Sequence, residues 1–418
     1  MSHPFKLTVE LKQHTPIIHF QHDQEGATLR ATEVKAKLDR FIWLQQWSDD
    51  FEKGSPYLLG GKNASSTELK ELKEKFLVQG FRALDYKMSL YASQIRRREI
   101  IGNIPLYFGN MSKEDEAKKE KHFVDSENTV VLEIICWDST LRSIIKKEIP
   151  SFFNRTNFGT RQSKGFGSFE VIRINGEKLE FSAPSQYSFS ITNRGSHHEL
   201  SEYIDLFYRA IRSGINLKSG KQQEDKLYFK SLLFQYAKTI KDTETQQFHQ
   251  WDKRKIRLDL FGKHPKFRDI PNRRRDPQGT VQYNQGKPML YRDMLGLSSS
   301  QSWYSYGKTV TKVAEDGNIE RFKSPITFKP FKRNQNWVVY IIPEKIPAYY
   351  MGKKFKIEAG QSTTLTTPDF DIEQYLNFVF EYFKNRNDVA AYIGDHKAPK
   401  EVGILQDIFS QLNKSTTV

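Results

Sequence analysis

A chain of 418 residues is long enough for two domains with cores of their own, and 65 Lys and Arg against 50 Asp and Glu give a formal net charge of +15, which selects for a polyanionic partner. One cysteine, Cys136, excludes an intrachain disulfide and a cysteine-built zinc site. No apolar run approaches the ~18 residues of a membrane span and the N-terminus lacks a signal-peptide core, so the expected location is cytoplasmic, with no membrane partner.

In chain order, Phe5, Leu7, Val9 and Leu11 alternate with Lys6, Thr8 and Glu10, the period of a half-buried strand. His14 to Phe20 continues it, with Pro16 marking an irregularity. A helix is expected from Leu29 to about Trp47, with Val34, Leu38, Phe41 and Ile42 on its apolar face. Residues 48 to 66 read as a loop, and Thr67 to about Ser93 as a second helix. The triplet Arg96-Arg97-Arg98 and a β-like stretch from Ile100 to Phe108 follow, then a mixed-charge run from Lys113 to Lys121. Thr129 to Cys136 is a strand and Thr140 to Phe153 a helix, with Leu141, Ile144, Ile145 and Ile149 at helical spacing. Phe169 to Ile174 is a further strand, and Glu177 to Thr192 is hairpin-like. The order β-α-β-β-α-β is the ferredoxin-like (RRM-like) pattern with insertions.

Helices are then expected over His198–Arg212, Asp225–Ile240 and Gln246–Phe261. The segment from Trp251 to Arg275 is the most basic of the chain and ends in Arg273, Arg274 and Arg275; after Pro271 it is turn-rich. A cationic loop of this kind neutralises phosphate without reading sequence. Gly296 to Gly317 looks irregular, Arg321–Phe331 and Asn336–Ile342 read as paired strands, and Asp371 to Lys384 as a helix. The expected organisation is α+β: a first RRM-like domain over 1–195, a helical section over 196–270, and a second, degenerate RRM-like domain over 271–418.

Between the helix at 140–153 and the strand at 169–174 lies Phe158-Gly159-Thr160-Arg161-Gln162-Ser163-Lys164-Gly165-Phe166-Gly167-Ser168. Gly159, Gly165 and Gly167 allow positive φ and close backbone approach. Successive N–H groups in such a loop make an anion-binding concavity. Arg161 and Lys164 add charge where a phosphate would sit, and Phe166 offers a stacking face. The helix precedes the glycines, which excludes both the triphosphate P-loop and the dinucleotide fingerprint. The bland alternative is a tight turn with solvated cations.

The run Gly-Thr-Arg-Gln-Ser-Lys-Gly-Phe-Gly-Ser-Phe resembles the glycine-rich loop of the RAMP superfamily, the RNA-binding subunits of CRISPR effector complexes, and is most similar to the largest RAMP subunit of the type III Cmr module. The Leu29-Arg30-Ala31-Thr32-Glu33-Val34-Lys35 helix start resembles the opening of RAMP domains, and the Ser324-Pro325-Ile326 strand resembles the Cmr branch. The resemblance implies two ferredoxin-like domains and an RNA site at Arg30, Thr32, Lys35, Gly159, Arg161, Lys164, Gly165, Phe166 and Gly167, to which the cationic Arg273, Arg274 and Arg275 are added. It implies guide RNA, target RNA and other effector subunits as partners.

No cofactor, metal site or catalytic residue is expected: the ten histidines form no His-x-x-x-His or His-Glu-x-x-His pattern. The expected function is a non-catalytic subunit holding guide RNA or the guide–target duplex by its backbone. One alternative is a metal-independent endoribonuclease using His14 or His22 as general base. Asp23 lies in the region where target-cleaving relatives carry an Asp. The other alternative is a scaffold whose basic surface serves protein contacts.

Overall fold

The structure is a computed structural model, and it describes residues 4–19, 28–99, 122–193, 195–218, 226–262, 286–303, 306–382 and 400–415. The first part of the chain runs β1 (Lys6–Gln13), α1 (Ala31–Trp47), α2 (Ser66–Gln79), β2 (Lys87–Tyr91), β3 (Ile95–Glu99), β4 (His122–Ser126), β5 (Val130–Ile135), α3 (Ser139–Arg155), β6 (Phe169–Ile174), β7 (Glu177–Lys178) and β8 (Tyr187–Ile191).

Alternation puts Leu7, Val9 and Leu11 on the buried side of β1. β1 is central: it pairs antiparallel with β5, Leu7 opposite Ile134 and Val9 opposite Leu132, and on its other edge with β6. A register shift between Glu10 and Leu11 marks a bulge. The sheet order is β2-β5-β1-β6-β7. α1 lays Val34, Leu38 and Ile42 against one face, and α3 adds Leu141, Ile145 and Ile149 to the same core. Asp138 caps α3 by accepting from the Thr140 and Leu141 N–H groups.

The second half repeats this connectivity with other residues. β8 leads into α4 (His197–Arg212), which the Ser196–Glu199 capping box opens. The hairpin Ile326–Arg333 and Asn336–Pro343, the helix Lys400–Ser410 and the strand Leu412–Lys414 follow. Asn336–Pro343 and Leu412–Lys414 flank β8, and Ile326–Arg333 lies outside Asn336–Pro343. A separate six-stranded sheet, built between His249 and Thr366, packs into the same core as this unit. The architecture is α+β. The strand Tyr187–Ile191, expected within 1–195 as part of the first domain, thus hydrogen-bonds to the late strands instead.

Several local expectations change. The helix expected to reach Ser93 ends at Gln79, because Gly80 turns left-handed at φ 67°, and β2 takes over with an alternation running through Leu84, Tyr86, Met88 and Leu90. The expected loop at 48–66 contains the short helix Phe51–Gly54. The helical section is mixed: Ile215–Lys218 and Lys226–Phe229 pair as a hairpin, and the expected helix over 225–240 shrinks to Leu232–Ala237. His249–Trp251 is a strand before the helix Asp252–Phe261. The irregular stretch after Gly296 contains the strands Ser300–Trp303 and Lys308–Ala314. The β-like stretch from Ile100 to Phe108, the charged run at 113–121, His22, Asp23 and Arg273–Arg275 lie outside the described residues.

Candidate nucleic-acid interface

The glycine-rich loop starts where α3 stops. Phe158 is buried among Phe152, Phe153 and Phe169, which anchors the loop's base in the first core. Gly159, Gly165 and Gly167 all have positive φ, at 78°, 88° and 69°, and so does Arg161 at 58°. The close approach that the glycines permit is to the protein's own backbone. A Cβ on Gly167 would sit 2.0 Å from the Phe158 carbonyl oxygen, and one on Gly159 would sit 2.6 Å from that of Ile18. Gly165 faces Ile204 of α4 and Pro330.

Six of the loop's N–H groups are spent internally, so the expected anion concavity is not built from these six. Gly159 N–H donates to Glu33, Thr160 to Ile18 O, Lys164 to Arg161 O, Gly165 to Gln162 O, Gly167 to Pro16 O and Ser168 to Thr15 Oγ1. Thr15 Oγ1 in turn donates to Gly165 O at 2.7 Å. Toward the second half, Phe328 N–H donates to Ser163 O, Ser168 Oγ to Pro330 O, and Asn157 Nδ2 to both Gln162 O and Phe328 O. Lys329, fully buried, donates to Thr156 O at 2.8 Å and Phe169 O at 3.0 Å. Burial pushes its ammonium well below the usual lysine range. The loop is a weld between the two halves.

The expected phosphate ligands divide accordingly. Lys164 is half-buried, and its Nζ, shielded from solvent, lies 2.8 Å from the centroid of the Tyr208 ring on α4. Burial, then the charges of Arg212 and Arg161, push it well below the ordinary lysine range. Phe166, expected as a stacking face, is buried with Ile18 and stacks on Phe123 at 5.8 Å. Lys35 is held by Asp39 at 2.7 Å and Leu84 O at 2.9 Å, over the Tyr86 ring. These three side chains serve the fold in this form. Arg30 sits at the N-cap of α1, half-buried; Thr32 is exposed; Arg161 is half-buried at the loop's crest. Lys37, also on α1, ties Glu33, Asn157 O and Gln162 together.

Of the two candidate bases His22 lies outside the described residues and His14 is a structural group. His14 is buried: its Nδ1 accepts from the Lys332 N–H at 3.0 Å, so its Nε2–H donates to Glu170 at 2.8 Å. Burial outweighs the carboxylate and lowers its pKa to about 4. Burial pushes Glu170 up, but hydrogen bonds from His14 and Arg333 and the Arg333 charge together outweigh it and bring it to about 2. Arg333 grips Glu170 with two bonds, at 2.7 and 2.9 Å. With both ring nitrogens engaged, His14 cannot take a proton from a ribose 2′-OH. His197 is likewise lowered to about 4 by burial. Among the described residues no group of three or more His, Cys, Asp or Glu could hold a metal ion, and no helix is long and apolar enough to cross a membrane.

The His14–Glu170–Arg333 bridge and Lys329 escaped the sequence reading. The available signal was a lone charge inside an otherwise apolar run: Glu170 between Phe169 and Val171, and Lys329 between Phe328 and Phe331.

Two family models match the chain: the Cmr1 N-terminal domain over residues 4–215 and the Cmr1 C-terminal domain over 228–398. No curated protein matches. Among solved structures, Cmr1 from Pyrococcus furiosus in its apo form is similar at 10% identity and a TM-score of 0.39, over 91% of this chain and 97% of that one. A chain of the type III-B Cmr-beta complex bound to cognate target RNA and AMPPnP is similar at 11% identity and a TM-score of 0.35, over 90% of this chain and 98% of that one. A chain of the Cmr-beta complex bound to cognate target RNA aligns over 41% of this chain and 60% of that one, at 17% identity and a TM-score of 0.26.

Proposed function

This chain belongs to the Cmr1 family, and from that membership and the basic joint we propose that it is a non-catalytic RNA-binding subunit of a type III CRISPR ribonucleoprotein. It holds guide RNA or the guide–target duplex by its backbone and works beside other effector subunits. Both repeated β-α-β-β-α-β units are, on this reading, ferredoxin-like domains. The glycine loop welds them and presents Arg161 at the crest, with Arg30 and Thr32 on the neighbouring helix start and the cationic Arg273, Arg274 and Arg275 adding phosphate contacts.

The observation that carries the reading is the convergence of cations where the halves meet. The Lys164 ammonium and the Arg212 guanidinium approach the same Tyr208 ring, at 2.8 and 5.9 Å from its centroid, and the Arg161 charge acts on Lys164 as well. Lys164 and Arg212 stay inside the joint, Arg212 bonded to Arg292 O and Gly296 O, and a polyanion at the rim meets the half-buried Arg161 and Arg30. Buried His14 favours binding over cleavage.

The test is a labelled single-stranded RNA of guide length mixed with the protein in EDTA and run on native and denaturing gels. A salt-sensitive shift with intact RNA is expected. Arg161→Ala should weaken binding and flatten the dependence of log K on log salt by about 0.7, one phosphate contact. Shortened products would replace this reading with the endoribonuclease. No shift at any salt would leave the scaffold.

A further inference from the structure

The open face of the first sheet carries an aromatic site that the joint does not use. α1 and α3 cover one side of this sheet. On the other side the register aligns Lys87, Ile135 and Lys6 in one row across β2, β5 and β1. Trp137 follows two residues beyond Ile135 and is 67% exposed, an unusual state for the largest side chain. Its ring packs on Phe5 at 4.7 Å, tilted by 45°, which fixes its orientation. Ile135 is 41% exposed and Tyr91, at the far end of β2 on the same face, is 58% exposed.

Three carboxylates at this end of the sheet are paired, while Asp85, two residues before Lys87, is exposed and takes no part in these pairs. Glu133 pairs with Lys6 at 2.6 Å, Glu10 with Arg173 at 3.2 Å, and Asp138 with Lys62 at 2.9 Å. Lys87 is exposed and has no ion-pair partner among the described residues. An exposed ring packed on Phe5, on the same face as an exposed lysine, suits an unpaired nucleotide: base on the ring, phosphate on the ammonium.

Resting on the RNA-binding reading, we infer that Trp137, packed on Phe5 and with Lys87 on the same face, is a stacking site for an unpaired base of single-stranded RNA, separate from the glycine-loop joint. The chain's net charge of +15 favours this occupant over an apolar protein partner. Stacking tolerates every base, so the site is sequence-neutral and rejects duplex.

The experiment titrates the full chain with labelled oligouridine and with a fully paired RNA duplex, following anisotropy and tryptophan emission. Trp137→Ala should weaken oligouridine binding by roughly five-fold or more while leaving the salt slope unchanged. It should also remove an emission-quenching component and leave duplex affinity intact, whereas Trp137→Phe should retain most of the affinity. Lys87→Ala should flatten the slope by about 0.7. If the wild type binds oligouridine and Trp137→Ala binds it equally with the same quenching, the stacking site is wrong and the RNA-binding function stands. A variant that keeps RNA affinity but no longer joins its partner subunits makes the patch a protein contact and overturns the inference. A wild type that binds neither RNA overturns both readings.

Discussion

His14 should convert acidity into a loss of stability whose size the structure sets. The buried ring has one proton, on Nε2, and its Nδ1 faces a backbone N–H, so a second proton has no acceptor. The native pKa is about 4 against an ordinary 6.5. Between those values the unfolded chain binds a proton that the native chain refuses, so stability falls as pH falls from 6.5 toward 4. Integrated from about pH 7 to about pH 5, the loss is about 2 kcal/mol, close to a thirty-fold shift in the folding equilibrium. Glu170 adds a lower window: its stabilising contribution is present above 4.5 and is lost as pH falls through about 2. His14→Gln keeps a donor toward Glu170 but cannot titrate. Urea denaturation of both proteins at the two pH values reads the difference, since His197 and the other buried groups titrate alike in each. Wild type should lose about 2 kcal/mol more than the variant on acidification. Equal losses would mean that His14 is solvated or protonated in the native state, and the bridge to Glu170 would have to be redrawn.

Other perturbations address the weld. Gly167→Ala should destabilise by about 3 kcal/mol or more, because its Cβ meets the Phe158 carbonyl at 2.0 Å in a left-handed backbone. Gly176→Ala, at φ 83° with nothing near its Cβ, should cost only about 1 kcal/mol by thermal denaturation. Lys329→Met should cost about 2 kcal/mol by leaving the Thr156 and Phe169 carbonyls without a donor. It should also abolish a rise in stability toward pH 10.5, because the native amine is depressed and the unfolded one is not. Arg333→Ala should release Glu170 and cost about 1–3 kcal/mol in chemical denaturation.

The elements that carry their own period were legible. β1, α1, α3 and β6 lie where the alternation and helical spacing put them, because one buried face dictates each pattern. The paired late strands and the helix Ile372–Tyr382 were read the same way. What the sequence does not carry is the identity of a distant partner. Tyr187–Ile191 looks like the end of the first unit by proximity, yet its register is with Trp337–Ile341. A glycine with positive φ makes room without saying for what, and here Ile18 and Phe158 fill it. A lysine advertises charge, but only packing decides whether its acceptor is a phosphate or, as for Lys35 and Lys329, a carbonyl of the same chain. Nothing in the sequence singles out Trp137, since its exposure depends on the strand register around it.

The weld also has a history in time. The strands and helices of the first sheet are complete by Lys178, so this part can collapse while the chain is still being made. Ser168, however, closes onto Pro330, 162 residues later. At ordinary synthesis rates of about 5–20 residues per second, that partner arrives roughly 8 to 30 s after the glycine loop emerges. Through that interval the carbonyls that Lys329 will cap and the edge that Phe328 will join face water and other chains. The nascent first half is thus a folded unit with one unfinished seam, and its vulnerability to mispairing ends only when the late hairpin docks.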